Sequence, residues 1–383
     1  MNWNRPKYHR MTHRFISILI FALPCITLNF GCKENVSTLQ EYKSSYLHEI
    51  QDVNGKSIQI DTKYGDLTIE SSDRETVSFE VLTTVWAPSN QRGQNMLNNI
   101  KVDIAESDYE ITASTEVDVE AGAFSWQVGK ETYRINLKIL VPNNLELNIT
   151  HKYGDVFVTD MESPMAIDLK YGNANLSNVY GDMVIDLAYV NRCRINQISG
   201  DVRANLQNSH LNIKKCDELD LRSVNSQVDV QHANLLTSIT KNDDIKVNTL
   251  SSFVNKGSYD RIEIDQVDAV DISTQYAQIG IQKINRSARF ETGFGEVRLN
   301  DIDDDFRQLD LEGRYTDYYL NPAGSYTLDV ITEETEVTLE DEMVINEREE
   351  SENYISLIGA VGNNPEGYIR ARFKFGKFQV SRS

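Results

Sequence analysis

The sequence predicts an all-β protein, a single-chain β-solenoid of about ten 17–19-residue coils with an N-terminal antiparallel β region and C-terminal capping strands. Three observations predict this fold: a nine-residue phrase that recurs ten times, a regular interval between its copies, and a second alternating apolar stretch before most copies. A unit of about 18 residues cannot bury its own apolar face, so such units are expected to stack.

The repeated phrase begins with an aromatic residue or Asn, and apolar residues follow three, five and eight positions later. In the first copy, Tyr153 is followed by Val156, Val158 and Met161. A spacing of two is typical of a strand with one buried face, and the further step of three predicts a corner. The copies begin 17–21 residues apart, at Tyr153, Tyr171, Tyr189, Asn208, Asn225, Asn242, Tyr259, Tyr276, Phe294 and Tyr315.

The stretch before most copies also alternates, as at Ile167 and Leu169 or at Val270 and Ile272. Each coil is therefore predicted to contain two short strands. Helix is not expected in the repeats, because β-branched residues dominate their apolar positions and no sustained 3.6-residue periodicity is present.

The first residues are typical of targeting rather than of a fold. Arg14 precedes an apolar run, 15–30, that ends at Gly31-Cys32, and the first acidic residue is Glu34. The run is shorter than the ~20 residues that span a bilayer, which indicates a secretory signal. Residues 28–32 resemble a relaxed bacterial lipobox, which predicts lipid attachment at Cys32 and a membrane partner through that anchor. The expected location is the outer membrane, on the cell surface or on the periplasmic face.

The remaining chain divides into predicted segments by its patterns. The predicted boundaries are 1–32 for the signal peptide, 33–45 for a polar tether, 46–148 for N-terminal strands and a cap, 149–324 for the solenoid repeats and 325–383 for C-terminal capping strands. Alternation predicts N-terminal strands at 77–85, 100–104, 109–119 and 133–141, with a short helix at 89–98. Ten acidic residues between 333 and 352 predict a solvated acidic loop.

Charge and cysteine content limit the classes of partner. The formal net charge is −20, and it becomes about −24 once four cationic residues of the signal are removed, so a phosphate backbone would be repelled. Nucleic acid is therefore not an expected partner.

Cys193 and Cys216 lie in neighbouring coils but at different apolar positions of the repeat, which predicts two buried thiols rather than a disulfide.

A family resemblance rests on the run 139–149, Ile-Leu-Val-Pro-Asn-Asn-Leu-Glu-Leu-Asn-Ile, followed by Tyr153-Gly154-Asp155-Val156. This arrangement resembles the adhesin-like β-solenoid family of bacterial envelope proteins of unknown function, in a lipoprotein of the Bacteroidota type. Residues 362–380 resemble the closing strands of that family. The resemblance implies the fold and a surface-binding role, and it implies little chemistry.

The aromatic anchors are the candidate site: Tyr153, Tyr171, Tyr189, Tyr259, Tyr276, Phe294 and Tyr315. Stacked rings at one corner either bind a ligand such as a sugar or stabilise the corner, and the Asn anchors are expected to form an amide ladder. The Gly-Asp pairs at 65–66, 154–155, 181–182 and 200–201 are interpreted as turns rather than metal ligands. Asp301, Asp303, Asp305 and Glu312 have the spacing of EF-hand ligands, but Phe306 stands where that loop needs Gly.

Catalytic motifs are absent from the sequence, so no enzyme, catalytic residue, metal or cofactor is predicted. The predicted function is an exported, non-catalytic binding, adhesion or structural module of the cell envelope, with a glycan or an envelope protein as candidate partner. Two alternatives stay open: a periplasmic scaffold or sensor with a protein partner, and a β-helix polysaccharide lyase or hydrolase.

Overall fold

A computed structural model describes residues 39–117 and 132–381, which form an all-β structure with one short helix. This confirms the predicted fold class at that level. The signal peptide, Cys32 and the start of the tether lie outside the described residues. The first strand begins at Gln40 rather than near residue 46, so residues 40–45 of the predicted tether are part of a strand.

The elements of the N-terminal part agree with the predicted strands and with the predicted helix. They are β1 Gln40–Gln51, β2 Ser57–Lys63, β3 Leu67–Ser71, β4 Thr76–Ala87, α1 Asn90–Asn98, β5 Ile100–Glu106, β6 Glu110–Val117 and β7 Thr132–Val141. The side chain of Ser89 caps α1 by accepting a hydrogen bond from the backbone N–H of Arg92, and Gly93 packs directly on the ring of Tyr42 in β1.

Seventeen further strands of the described chain follow. They are β8 Leu147–Lys152, β9 Val156–Met161, β10 Met165–Lys170, β11 Asn173–Val179, β12 Met183–Ala188, β13 Arg192–Ile195, β14 Val202–Gln207, β15 His210–Lys215, β16 Glu218–Val224, β17 Gln227–Lys241, β18 Asp244–Ser258, β19 Arg261–Ile302, β20 Gln308–Pro322, β21 Tyr326–Thr338, β22 Val344–Ser351, β23 Tyr354–Val361 and β24 Gly367–Val380.

Two parallel ladders run through the repeat region. The strands before each anchor pair in register as β8–β10–β12–β14–β16, and we call them the upstream ladder. The strands after each anchor pair as β9–β11–β13–β15, and we call them the downstream ladder. From β17 onward single long strands contribute to both ladders. The register joins equivalent positions of successive repeats, so the period of the sequence is also the period of the pairing.

The core lies between the inward faces of the two ladders. In β8, β10 and β12 every second residue is buried, and the same alternation continues in β14 and β16. Equivalent inward positions form columns, such as Ile149, Ile167, Ile185, Ala204 and Leu221 in the upstream ladder. Each buried Ile or Leu contributes roughly 1.5–3 kcal/mol, which a single repeat could not gain alone.

The N-terminal region is mixed rather than antiparallel as predicted. An early copy of the repeated phrase begins at Tyr64. Its strands, β2 and β3, pair in parallel with β8 and β9, although Ile58 and Leu147 are far apart in sequence. On their other side β2 and β3 pair in parallel with β6 and β7. Antiparallel pairs follow only outside these strands, namely β5–β6, β4–β7 and β1–β4.

At the C-terminal end the order of strands in space differs from their order in the chain. Strand β24 lies in parallel between β20 and β21, so the chain returns to fill a place that it had passed. Strand β23 then pairs antiparallel with β21, and β22 pairs with β23. The prediction of an acidic loop at 333–352 was wrong, because this stretch contains the end of β21 and all of β22.

Candidate functional site: a broken aromatic ladder between grooves

All ten anchors of the repeated phrase have left-handed backbone conformations. Their φ angles lie between 49° and 63°, for example 63° at Tyr153 and 57° at Asn242. This region is strained for most L-residues, and Asn tolerates it better than β-branched residues do. The anchor is therefore the point at which the chain turns from the upstream to the downstream ladder, so the aromatic residues and Asn lie at a corner as expected. This corner is distinct from the one predicted at the step of three, where Asp160 and Asn178 also have positive φ.

The aromatic anchors stack in two separate runs. The first run is Tyr64–Tyr153–Tyr171–Tyr189, with ring centroids 5.2, 5.1 and 5.2 Å apart and planes within 5° of parallel. The second run is Tyr259–Tyr276–Phe294–Tyr315–Phe375, with centroids 4.8, 4.7, 4.8 and 4.6 Å apart. The structure thus brings all seven predicted aromatic residues into stacks but divides them into two groups.

Two residues outside the predicted aromatic ladder also belong to these stacks. Tyr64 belongs to the early copy of the phrase, and the intervening strands hid its position beside Tyr153. Phe375 follows a long insertion, yet Phe378 and Val380 stand at its third and fifth following positions and are both buried. That spacing was the available signal for an additional copy at the end of the chain.

Stacking limits what these rings can bind. Because neighbouring rings are parallel at about van der Waals distance, each inner ring has both faces covered and presents only its edge to solvent. The inner rings Tyr153 and Tyr171 are nevertheless 43% and 48% exposed, which is the exposure of those edges. A sugar that lies flat on an aromatic face could use only the rings at the ends of a run.

Three asparagines interrupt the ladder between the two runs. Asn208, Asn225 and Asn242 occupy the same corner in successive repeats, and each is exposed. Asn242 donates from Nδ2 to Oδ1 of Asn225 at 2.8 Å, which confirms the predicted amide ladder for this pair.

The residue after each of these anchors points inward and links one repeat to the next. Ser209 N donates to Ser226 Oγ at 3.1 Å, Ser226 N donates to Asp243 Oδ1 at 2.6 Å, and Asp243 N donates to Asp260 Oδ1 at 2.9 Å. The backbone at this corner cannot pair fully within the ladders, so these side chains satisfy it.

Asp243 and Asp260 are buried carboxyl groups with perturbed titration. Burial, assisted by the charge of Asp260, raises the pKa of Asp243 to about 6, against three hydrogen bonds that lower it. Burial also raises the pKa of Asp260. The two acids are 3% exposed each, and their oxygens are occupied by donors of the protein, which favours a structural role.

The Gly-Asp pairs serve turns, as predicted. Asp66, Asp155 and Asp182 each accept a hydrogen bond from a backbone N–H of the next repeat, at 3.3, 2.9 and 3.1 Å. Their carboxylates therefore act between repeats.

A separate acidic cluster is formed by Asp303, Asp304 and Asp305, whose carboxylate oxygens lie within 4.8 Å of one another. Lys283 pairs with Asp303 at 2.9 Å and lowers its pKa.

Two concave regions lie on the outer face of the upstream ladder, and we call them groove A and groove B. Groove A has a volume of about 890 Å³ and a polar lining that includes Lys256, Glu291, Glu312, Arg314 and Arg372. Groove B has a volume of about 540 Å³, and its lining includes Asp186, Arg222, Val224, Ile239 and Lys241.

A third concavity lies on the opposite side of the asparagine anchors. It has a volume of about 420 Å³ and is lined by Asn225, Asn242, Tyr259, Arg261 and Gln278, among others. The asparagines therefore lie between groove B and this corner cavity.

Histidines and cysteines of the described chain are separate from the grooves. His151 is buried, with Nδ1 2.8 Å from Thr62 Oγ1, and its burial lowers its pKa. His210 lies 2.6 Å from Asp229 in the downstream ladder. Cys193 and Cys216 are free and buried, as predicted, and burial raises the pKa of each thiol to about 12.

A helix long and apolar enough to cross a bilayer is not present among the residues that the structure describes.

Comparison with known proteins gives weak similarities only. No protein-family model matches the chain, and no curated protein matches it. Among solved structures, a protein of Clostridium sporogenes provisionally named a cell adhesion protein is 9% identical, with 89% of this chain and 100% of that chain covered and a TM-score of 0.21. A provisionally named adhesin of Bacteroides fragilis is 11% identical, with 89% and 97% covered and a TM-score of 0.23.

A protein of Parabacteroides distasonis provisionally named a lipid binding protein is 12% identical, with 73% of this chain and 96% of that chain covered and a TM-score of 0.30. All three TM-scores are too low to indicate a shared fold or function.

Proposed function

We propose that this protein is an exported, lipid-anchored β-solenoid of about ten coils that acts as a non-catalytic binding module of the cell envelope. The single observation that supports binding most strongly is that grooves A and B share the outer face of one ladder. Ile239 of groove B and Lys256 of groove A are register partners in adjacent strands, so the two concavities adjoin.

The in-register ladders support the solenoid. Successive strands 17–19 residues apart pair in parallel, and the corner residue has the same conformation in each repeat. A continuous core shared by neighbouring repeats, with side chains displayed at regular intervals outside, is typical of proteins that bind extended ligands.

The lining of the grooves supports an elongated polar ligand. Groove A combines cationic side chains at Lys256, Arg314 and Arg372 with the carboxylates of Glu291 and Glu312. Hydrogen-bonding groups of both kinds suit a glycan, or a polar protein segment, more than an apolar molecule.

A polysaccharide-cleaving enzyme is the second candidate, and one observation favours it. Glu291 and Glu312 are register partners and both line groove A, and a pair of carboxyl groups is what glycoside hydrolysis requires. The lining of groove A as described contains no His or Cys that could assist. We expect no reducing ends to be released from envelope polysaccharides; release that is abolished by Glu291→Gln would contradict the non-catalytic function.

Residues 33–383, which lack the signal and the predicted lipid attachment site Cys32, provide the test of binding and are called the mature chain below. It is immobilised and exposed to polysaccharide and protein fractions of a Gram-negative envelope. We expect one fraction to be retained, and the double variant Lys256→Glu/Arg314→Glu to weaken retention at least tenfold, because it reverses two charges in groove A.

The matched control is Arg192→Glu/Arg194→Glu, which makes the same charge change on exposed residues of β13 in the downstream ladder. Retention of no fraction by the wild-type chain, or an equal loss in the control, would overturn the proposed function.

Anchoring and orientation have their own tests. Metabolic labelling with palmitate should mark the wild-type protein and not Cys32→Ala, since the lipid is attached to that thiol; equal labelling of both would refute the anchor.

Protease treatment of intact cells separates the two orientations, because digestion requires surface exposure. Protection of the protein would favour the periplasmic scaffold or sensor with a protein partner.

A further inference from the structure

The interruption of the aromatic ladder forms a notch with chemically distinct walls and floor. Tyr189 and Tyr259 are the ends of the two stacked runs, and Asn208, Asn225 and Asn242 occupy the three corners between them. An asparagine side chain is shorter than a tyrosine side chain. At these three repeats the corner residue therefore extends less far outward than at the repeats on either side.

Backbone hydrogen bonds fix the five corner residues in one row. Tyr189, Asn208, Asn225, Asn242 and Tyr259 each donate a backbone N–H to the residue before the next corner, at 2.8–3.1 Å. Adjacent strands are about 4.8 Å apart, so four steps separate the two rings by about 19 Å. Allowing about 4 Å for van der Waals contact, the ring faces enclose a space of about 15 Å.

The walls of the notch are the end rings Tyr189 and Tyr259, each of which stacks on an aromatic ring on one side and has an asparagine corner on the other. Tyr259 is 55% exposed, whereas Tyr276, with a ring on both sides, is 46% exposed. This difference is expected if the face of Tyr259 toward Asn242 is open. Tyr189, at 47%, is no more exposed than the inner ring Tyr171, at 48%, so exposure singles out Tyr259. An open aromatic face provides an apolar platform of fixed orientation, because its other face is held by the stack behind it.

The floor of the notch is polar and regularly spaced. Each asparagine offers a carbonyl acceptor and two N–H donors, and the bond between Asn242 and Asn225 uses one donor and one acceptor lone pair. The remaining groups repeat at the distance between adjacent strands. Backbone strain alone does not require Asn here, because Tyr and Phe adopt the same conformation at the other corners.

The notch is open toward two concavities. Gln207, Val224 and Lys241, which directly precede the three asparagines, line groove B. Asn225, Asn242 and Tyr259 themselves line the corner cavity on the other side. A ligand longer than the notch could therefore continue into groove B.

We propose that this notch is a carbohydrate-binding subsite, in which a sugar ring lies against Tyr259 and hydroxyl groups of the sugar bond to the asparagine carboxamides. This proposal rests on the proposed binding function and specifies its ligand class and place. A pyranose has an apolar face for the aromatic ring and paired hydroxyl donors and acceptors for amides, which matches the walls and the floor.

The test fills the notch without disturbing the fold. In Asn208→Tyr/Asn225→Tyr/Asn242→Tyr the ladder becomes continuous, and tyrosine is already accommodated at the equivalent corners. We expect this variant to be at least as stable to heat as the wild type. The single variant Asn225→Tyr, which divides the notch, provides a second test if the triple variant fails to fold.

The probe is an array of bacterial and plant oligosaccharides, and affinity for each positive compound is measured by calorimetry on the mature chain. We expect at least one compound to bind the wild type and its affinity to fall at least tenfold in the filled variants. Tyr171→Phe is the control, because both faces of that ring are covered, the ring size is kept and Tyr171 is not in the lining of groove A or groove B.

If wild-type and filled proteins bound the oligosaccharide with equal affinity, the notch proposal would be overturned, whereas the proposed binding function of the grooves would be unaffected. Absence of any oligosaccharide bound by the wild type would also overturn it, while retention of an envelope fraction that depends on Lys256 and Arg314 would preserve the proposed function. If neither the groove variant nor the notch variants lost retention, both the proposed function and the notch proposal would be contradicted.

Discussion

At the scale of the residue, one position in each repeat combines a strained backbone with a side chain that offsets the strain. The corner residues have positive φ, which costs of order 1 kcal/mol or more for a residue other than Gly. Aromatic corners offset this by stacking on the rings before and after them. Asparagine corners reduce the strain itself, since a short polar side chain can bond locally.

Tyr171→Asn tests the contribution of stacking. Asparagine fits this backbone, so the variant removes two ring contacts, to Tyr153 and Tyr189, without adding strain. We expect the free energy of unfolding, measured in urea, to fall by about 1–3 kcal/mol. Tyr180→Asn is the control, because Tyr180 is 49% exposed, as Tyr171 is 48% exposed, but lies outside the ladder. Equal losses would show that stacking contributes nothing specific.

The carboxyl group of Asp243 predicts a pH dependence. Its pKa is raised from 3.8 to about 6, so the folded state holds the proton more tightly than the unfolded state. The stabilisation is complete below the unfolded pKa and is lost as pH rises through about 6, which amounts to as much as about 3 kcal/mol. Stability of the wild type should therefore decline between pH 4 and 7 relative to Asp243→Ser.

Serine is the suitable replacement because Ser226 accepts a backbone N–H at the equivalent place of the preceding repeat. The measurement is urea unfolding at each pH, and only the change in slope with pH is interpreted. Asp265→Ser, at an exposed carboxyl group, is the charge-matched control. A parallel course for wild type and Asp243→Ser would contradict the raised pKa.

At the scale of the element, the corners set how closely the chains of successive repeats approach. A Cβ added at Gly154 would lie 1.7 Å from the carbonyl oxygen of Gly65, and one at Gly172 would lie 1.9 Å from that of Gly154. Glycine is therefore required after these corners for reasons of space between repeats. The sequence of a single repeat does not show this requirement for glycine, because the clash is with the backbone of a neighbouring repeat.

Gly154→Ala should consequently disturb two repeats. Because the opposing atom belongs to the backbone, relief requires movement of the strands, and we expect a loss of about 2–4 kcal/mol in the free energy of unfolding. Gly280→Ala in β19 is the matched control, since a Cβ there would meet nothing within 4 Å. Similar stabilities of the two variants would refute the close approach.

The outermost strand of the C-terminal end shows how the ladder is terminated. Among the described strands β22 pairs only with β23, and all of its residues are exposed. Glu347, Glu349 and Glu350 give this edge a strong negative charge. Unpaired strand edges recruit other chains, and charge on the edge opposes this.

Replacing Glu347 and Glu349 by Thr should therefore promote association between molecules. We expect concentration-dependent assembly, detected by light scattering at physiological ionic strength. Asp271→Thr/Glu291→Thr removes the same charge from the paired strand β19 and serves as control. Assembly of both variants to the same degree would attribute the effect to net charge rather than to the edge.

At the scale of the whole molecule, the ends of the ladder use chain segments that are distant in sequence. Strands β6 and β7 lie beside β2 and β3, and β24 lies between β20 and β21. Local pattern identified β4, β7 and α1 with little error. It did not identify their partners, because alternation specifies which face is buried but not which strand lies at either edge.

The candidate site could be predicted from the sequence only in part. The seven aromatic corners were identified from spacing alone, and their adjacency follows from the period. The interruption by Asn208, Asn225 and Asn242 could be read from the sequence, whereas the higher exposure of Tyr259 and the places of Tyr64 and Phe375 required the structure.

The sequence by itself determined the all-β class, the period, the inward columns and the two buried thiols, because each depends on side-chain polarity along a single strand. Tertiary structure decided the mixed pairing at both ends, the burial of Asp243 and Asp260, and the notch between Tyr189 and Tyr259. These features depend on which repeats are neighbours and how closely they approach, and the interactions that fix them are made between segments rather than within one.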